Sequence, residues 1–117
     1  PVEGIITEHF SIEEGRFGLS IAANAADRVT AIDNGTVIAS VWSPETGQQL
    51  LIQHRERLIA VYKNLSEPTV TVGQTVRAGE LGGYTMQEES TKEEEKPFIL
   101  ELWNDGKPVD PEGYIVF

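Results

Sequence analysis

Apolar and β-branched residues recur along this chain in short runs cut by Gly, Pro, Asn and Asp, and no segment holds the helical period over three turns. The clearest run occupies residues 97–111. Phe98, Leu100 and Leu102 alternate with Ile99, Glu101 and Trp103, Asn104-Asp105-Gly106 reads as a tight turn, and Pro108-Val109-Asp110-Pro111 ends the segment. Residues 2–7 read as an opening strand, followed by a polar loop through Gly15. Residues 29–32 and 36–42, separated by Asp33-Asn34-Gly35, read as a hairpin, because Asn-Gly between β-branched runs favours a two-residue reversal. Alternation in 36–42 suggests a strand at least partly covered on both faces. Residues 43–47 form a turn, and residues 50–52 and 58–62 pair around residues 54–57, so the whole reads as a meander.

Residues 70–82 place a glycine beside each short apolar step, as expected of a chain that turns sharply twice at a sheet edge. Residues 22–27 are too short for a stable helix and read as a connector. Residues 86–96 carry Glu88, Glu89, Glu93, Glu94 and Glu95 against Lys92 and Lys96, and read as a solvated loop. The expected class is therefore all-β, a sandwich or a partly closed barrel, with short helical turns at most.

Composition narrows the partners. A chain of 117 residues is sized for one domain, and no apolar run is long enough to span a bilayer. The net charge of -10 argues against nucleic acid and anionic lipid, which both require a basic footprint. There is no cysteine, which excludes disulfides and thiolate zinc sites. The chain begins at Pro1 without a signal-peptide pattern and is expected to be a piece of a longer protein.

Few residues suggest catalysis. No Gly-x-Ser-x-Gly elbow or phosphate-cradling glycine loop is present. His9 and His54 stand alone and far apart, whereas a catalytic zinc needs three convergent protein ligands.

In order and spacing, several fragments resemble the lysostaphin/LytM-type zinc metallopeptidases, which cut peptides of bacterial peptidoglycan. The fragments are Gly4-Ile5-Ile6-Thr7, residues 16–23 (Arg16-Phe17-Gly18-Leu19-Ser20-Ile21-Ala22-Ala23), residues 29–37, Leu51-Ile52-Gln53-His54, Ala60-Val61-Tyr62-Lys63-Asn64-Leu65, Val72-Gly73-Gln74-Thr75-Val76-Arg77-Ala78-Gly79-Glu80, and Leu100-Glu101-Leu102-Trp103 with the Asn-Asp-Gly turn and Pro108-Val109-Asp110-Pro111. The resemblance covers nearly the whole of residues 1–117 and implies one domain of antiparallel sheets in a barrel-sandwich hybrid, the duplicated hybrid motif.

The family's chemistry does not follow. Its His-x-Gly-x-Asp falls on Arg16 and Ser20, its Tyr-x-His on Asn64, and its His-x-His on Pro97 and Ile99. The resemblance therefore implies a catalytically inactive domain of the cell envelope, periplasmic or extracellular, with no zinc expected. It would bind peptidoglycan peptide or a cell-envelope protein, including a hydrolase that it regulates. Arg16, Ser20, His54, Tyr62, Asn64 and Glu101 are the candidate ligand-binding residues. An Arg16–Glu101 ion pair in place of the metal is one expectation; the plainer one is that both side chains reach solvent. The alternatives are an active metallopeptidase whose ligands have moved to His9, His54, Glu101 or the loop glutamates, and a lipoyl-like carrier. The latter lacks a lysine at the required hairpin tip.

Overall fold

A computed structural model describes residues 5–22, 28–44, 47–55, 57–85 and 98–114. The expected opening strand begins outside these residues, and the 22–27 connector, the glutamate-rich 86–96 loop and Pro97 fall largely or wholly outside them. Ten strands are found among the described residues: β1 (Ile5–Glu8), β2 (Gly18–Ala22), β3 (Arg28–Thr30), β4 (Gly35–Ser43), β5 (Gly47–Arg55), β6 (Leu58–Pro68), β7 (Thr75–Val76), β8 (Leu81–Thr85), β9 (Phe98–Asn104) and β10 (Lys107–Val109). The main order is β1-β2-β9-β6-β5-β4-β7, with β10 on β9 and with β8 linking β3 to β6, all antiparallel. One 3-10 turn, Pro111–Gly113, follows, capped by the Asp110 carboxylate accepting from the Glu112 amide at 3.0 Å.

The sheet is organised by alternation on its central strands. Leu19, Leu100, Tyr62 and Leu50 lie in one cross-strand row facing the core, and all four are buried. Burying each such side chain favours folding by roughly 1.5–3 kcal/mol, which is why the 98–104 run becomes the centre of the sheet. Its hairpin with β10 forms as the sequence predicts, with Asp105 and Gly106 both at positive φ in the turn.

The 29–32 and 36–42 runs do not form the expected hairpin. Strand β3 pairs with β8, whereas β4 pairs with β5 and β7. The reason lies in the Asn34-Gly35 corner. The Asn34 carbonyl accepts from His54 Nδ1 at 3.0 Å, and its side-chain Oδ1 accepts from the Ala78 amide at 2.9 Å, so the corner is tied to two other segments rather than folded back on itself. A β-carbon on Gly35 would meet the Gln53 carbonyl at 2.5 Å, so only glycine fits there.

The 70–82 segment turns twice, and does so in the same way each time. Gly73, at φ 90°, donates to the Val37 carbonyl while the Val37 amide donates to Gln74; Gly79, at φ 84°, donates to the Ala31 carbonyl while the Ala31 amide donates to Glu80. The two turns thus dock on the flanks of the Asn34-Gly35 corner by matching backbone pairs. Coverage of β4 is partial: Val37 is buried and Ala39 and Ser40 are half-buried, but Ile38, Val41 and Trp42 are exposed.

Tyr62 belongs to this core and not to a cleft. Its ring lies 6.2 Å from that of Phe98, and its hydroxyl accepts from the Ile32 amide at 3.0 Å. Burial raises its pKa, the Ile32 hydrogen bond lowers it less, and Asp33 adds a further rise. Because the folded value lies above the unfolded one, the stability this group confers is complete below about pH 10 and is lost as pH rises further. Denaturant unfolding should therefore show Tyr62→Phe costing about 1 kcal/mol at pH 8, with a shallower loss of stability between pH 10 and 11 than the parent chain shows.

Candidate functional site

The face of the sheet opposite the core carries the positions of interest. Strand alternation places Gly18 and Ser20 of β2, Ile99, Glu101 and Trp103 of β9, and Ile59, Val61 and Lys63 of β6 on this open face. Register then sets Ser20 beside Ile99 and Ile99 beside Lys63, with Gly18, Glu101 and Val61 forming the next row.

Glu101 is the anchor of the face. It is only 8% exposed, and a buried carboxylate needs partners. The Lys63 ammonium lies 2.7 Å from Oε2, and the Trp103 indole N–H donates to Oε1 at 2.9 Å. Phe17 stands 6.2 Å from Trp103 between ring centroids, extending the apolar rim. Gly18 makes the burial possible. A β-carbon there would meet the Glu101 Cγ at 2.7 Å and the Leu100 carbonyl at 2.6 Å, so the carboxylate stem lies over bare backbone.

Both expectations for Arg16 and Glu101 are therefore corrected. Glu101 neither reaches solvent nor pairs with Arg16; its cation is Lys63. Arg16 stays at the β1–β2 loop, where Nε donates to the His9 carbonyl at 3.0 Å, lies 3.8 Å from a Glu8 oxygen, and Nη2 pairs with Glu14. A guanidinium is drawn to this acidic loop, which is closer in sequence than β9.

Asn64 sits immediately beyond Lys63 in a bulge of β6. Gln48 pairs with Leu65 and Leu50 with Tyr62, so Lys63 and Asn64 together oppose Gln49. Asn64 has φ 65° and is buried; asparagine tolerates this left-handed backbone better than most residues. The remaining candidates lie elsewhere. His54 is at the far end of β5, bonded to the Asn34 carbonyl, an acceptor that requires Nδ1 to carry the proton. His9 donates through Nδ1 to a Glu112 carboxylate oxygen at 3.1 Å on the surface. Of the six candidate ligand-binding residues, Ser20 and Glu101 thus lie on the open face, Asn64 follows Lys63 in the β6 bulge, Arg16 stays in the β1–β2 loop, and the polar atoms of His54 and Tyr62 bond backbone groups of the Asn34-Gly35 corner and the core.

Among the described residues, those at the family's ligand positions do not fit a zinc ion. Ile99 has no lone pair, Arg16 is a cation engaged with Glu14, and the Lys63 ammonium stands directly beside the Ser20–Ile99 row. Among the described residues no group of three His, Asp or Glu side chains is arranged to hold a metal, so the relocated-ligand alternative gains no site from His9, His54 and Glu101; its loop glutamates lie outside the described residues. What the face offers is an apolar floor with one fixed, internally neutralised charge pair.

Lys63 and Trp103 are the partners of Glu101 that sequence reasoning missed. Alternation alone puts Lys63 on the face of Ile59 and Val61, but its apposition to Glu101 depends on cross-strand register.

Comparison with known proteins agrees with this architecture. The model of peptidase family M23 matches residues 14–111. An uncharacterized protein of Haemophilus influenzae is 31% identical over 98% of the chain, which spans only 28% of that protein's length. The structure of Helicobacter pylori Csd3 superposes with a TM-score of 0.85 at 22% identity, covering 100% of this chain and 32% of that one. A chain of the SpoIIIAH–SpoIIQ complex superposes with a TM-score of 0.74 at 21% identity, covering 97% of this chain and 90% of that one.

Proposed function

Because the chain belongs to peptidase family M23 while its residues at the family's ligand positions do not fit a metal, we propose that it is a non-catalytic, metal-free member that binds a protein partner in the bacterial cell envelope. The observation that carries this reading is the Lys63–Glu101–Trp103 constellation. It fills the centre of the open face with a cation held by protein, beside a serine and an isoleucine where two zinc ligands would stand. Such a face recognises; it does not activate water.

A protein partner suits the face better than peptidoglycan peptide does. Exposed Phe17 and half-buried Trp103 and Ile99 offer apolar area, the kind of surface that buries aliphatic and aromatic anchors at protein interfaces. Peptidoglycan stems are rich in charged and amide groups, and the one charged pair here is already internally satisfied. That a relative in fold occurs in the SpoIIIAH–SpoIIQ complex supports a partner-binding role. Regulation of a cell-wall hydrolase is one form this role can take.

The test is an assay of the purified chain on peptidoglycan and on a glycine-rich peptide with zinc added, run beside sedimentation with insoluble peptidoglycan. The expected outcome is no cleavage and no co-sedimentation. Zinc-dependent cleavage overturns the non-catalytic reading, and co-sedimentation without cleavage replaces the protein partner by the wall itself.

A further inference from the structure

Lys63 and Ser20 keep polar groups that the protein itself does not use. An ammonium carries three N–H donors, and among the described residues only Glu101 Oε2, 2.7 Å away, takes one of them. The charge is matched, but two donors are spare. Ser20 is only 8% exposed, yet among the described residues its hydroxyl bonds to nothing, the hydrogen bond from Thr7 going to its carbonyl instead. A hydroxyl so nearly enclosed is costly to leave without a partner.

Register puts these two groups on either side of Ile99, Ser20 on β2 and Lys63 on β6. Two strand spacings separate their backbones, about 10 Å, a distance that about three residues of extended chain span. Half-buried Ile99 is the apolar floor between them. Two polar points with a hydrocarbon step between suit a peptide main chain, whose carbonyls and amides alternate with side chains.

Local charge narrows the occupant further. An anion drawn to Lys63 also meets the Glu101 carboxylate held on the same ammonium, and a cation meets the ammonium itself. A neutral acceptor meets neither penalty. We propose that the Ser20–Ile99–Lys63 row is a subsite for an extended, uncharged segment of the partner protein, laid across β2, β9 and β6. A main-chain carbonyl of the segment accepts from Lys63, another main-chain group bonds the Ser20 hydroxyl, and a small apolar side chain rests on Ile99. The proposal rests on the partner-binding reading of the open face and adds to it the chemistry of the segment recognised.

The probe is trialanine blocked by acetyl and methylamide groups, with two companions that carry glutamate or lysine at the centre. Binding to the isotope-labelled 117-residue chain is followed by NMR at the Ile99 methyl groups, the Lys63 methylene beside the ammonium and the Ser20 amide. The expected result is saturable shifts at all three with a Kd of about 1–10 mM, and at least about threefold weaker binding of either charged companion. Ser20→Ala removes a hydroxyl without a protein partner, so it keeps the parental Tm and is expected to weaken the neutral peptide by about threefold to tenfold. Lys63→Met/Glu101→Gln removes the ammonium without stranding the carboxylate and is expected to weaken it by about tenfold or more. No saturable shift on this row, shifts confined to other residues, a charged companion that binds as tightly as the neutral peptide, or full affinity in Ser20→Ala overturns the proposal. Failure of the underlying reading shows elsewhere, as cleavage or co-sedimentation in the peptidoglycan assays.

Discussion

Lys63→Met is expected to lower the unfolding free energy by about 2–3 kcal/mol, because it strands a largely buried carboxylate whose remaining partner is a neutral indole. The substitution keeps length and apolar volume, so the loss reports the missing ammonium at 2.7 Å from Glu101 rather than a cavity. Glu101→Gln leaves an amide oxygen for the Trp103 N–H but exposes the ammonium to an uncharged neighbour, at a cost of about 1–2 kcal/mol. The double variant Lys63→Met/Glu101→Gln should then be more stable than Lys63→Met alone, because neither charge is left unmatched. Urea unfolding of the four proteins measures the cycle. Additive losses would show that the pair is only a surface contact of the kind that contributes little.

Gly18→Ala is expected to cost about 2–3 kcal/mol, the larger share from backbone. The added carbon meets the Leu100 carbonyl at 2.6 Å, which belongs to the central strand and cannot swing aside, and the Glu101 Cγ at 2.7 Å. Relieving the first contact separates β2 from β9; relieving the second displaces the carboxylate from Lys63. Gly82→Ala is the matched control. Its added carbon finds Leu50 and Val29 atoms at 3.7 Å, ordinary contact, so the change is expected to be neutral or to stabilise by roughly 0.5 kcal/mol through lower chain entropy. Equal effects of the two substitutions in thermal unfolding would contradict this account of why a glycine stands opposite Glu101.

Much of the fold was legible because alternation is local. The strand and turn of residues 97–111, the β5–β6 pair and the double turn of residues 70–82 all follow from side-chain period and turn chemistry. Pairing partners were harder. Asn34-Gly35 carries the signal of a hairpin, yet it serves as a corner because His54 and Ala78, distant in sequence, take its hydrogen-bonding groups. Strand β4 has an alternating pattern that does not reveal which face is covered, since coverage depends on what packs there.

For the candidate site, motif positions could be assigned from the sequence, but not the contacts made around them. Arg16, Ser20, Asn64 and Ile99 are the positions that the motif resemblance assigns. That Lys63 supplies the cation beside Glu101 follows from the register of β6 on β9, with Lys63 beside Ile99 and Val61 beside Glu101. Arg16 was the candidate by motif position, but its loop offers Glu14, Glu8 and the His9 carbonyl at shorter range. Tyr62 and His54 are polar residues near motif positions whose polar atoms serve the core and the corner.

The central proposal is that the M23 fold carries here a protein ammonium in place of a metal on its open face. Calorimetric titration of zinc into the chelator-treated chain tests it most directly. The account predicts no saturable heat and no rise in Tm at zinc concentrations of about 100 μM, as expected when no donor set binds the folded state. Stoichiometric binding of one zinc per chain with a Kd below about 1 μM, accompanied by a rise in Tm, would contradict it.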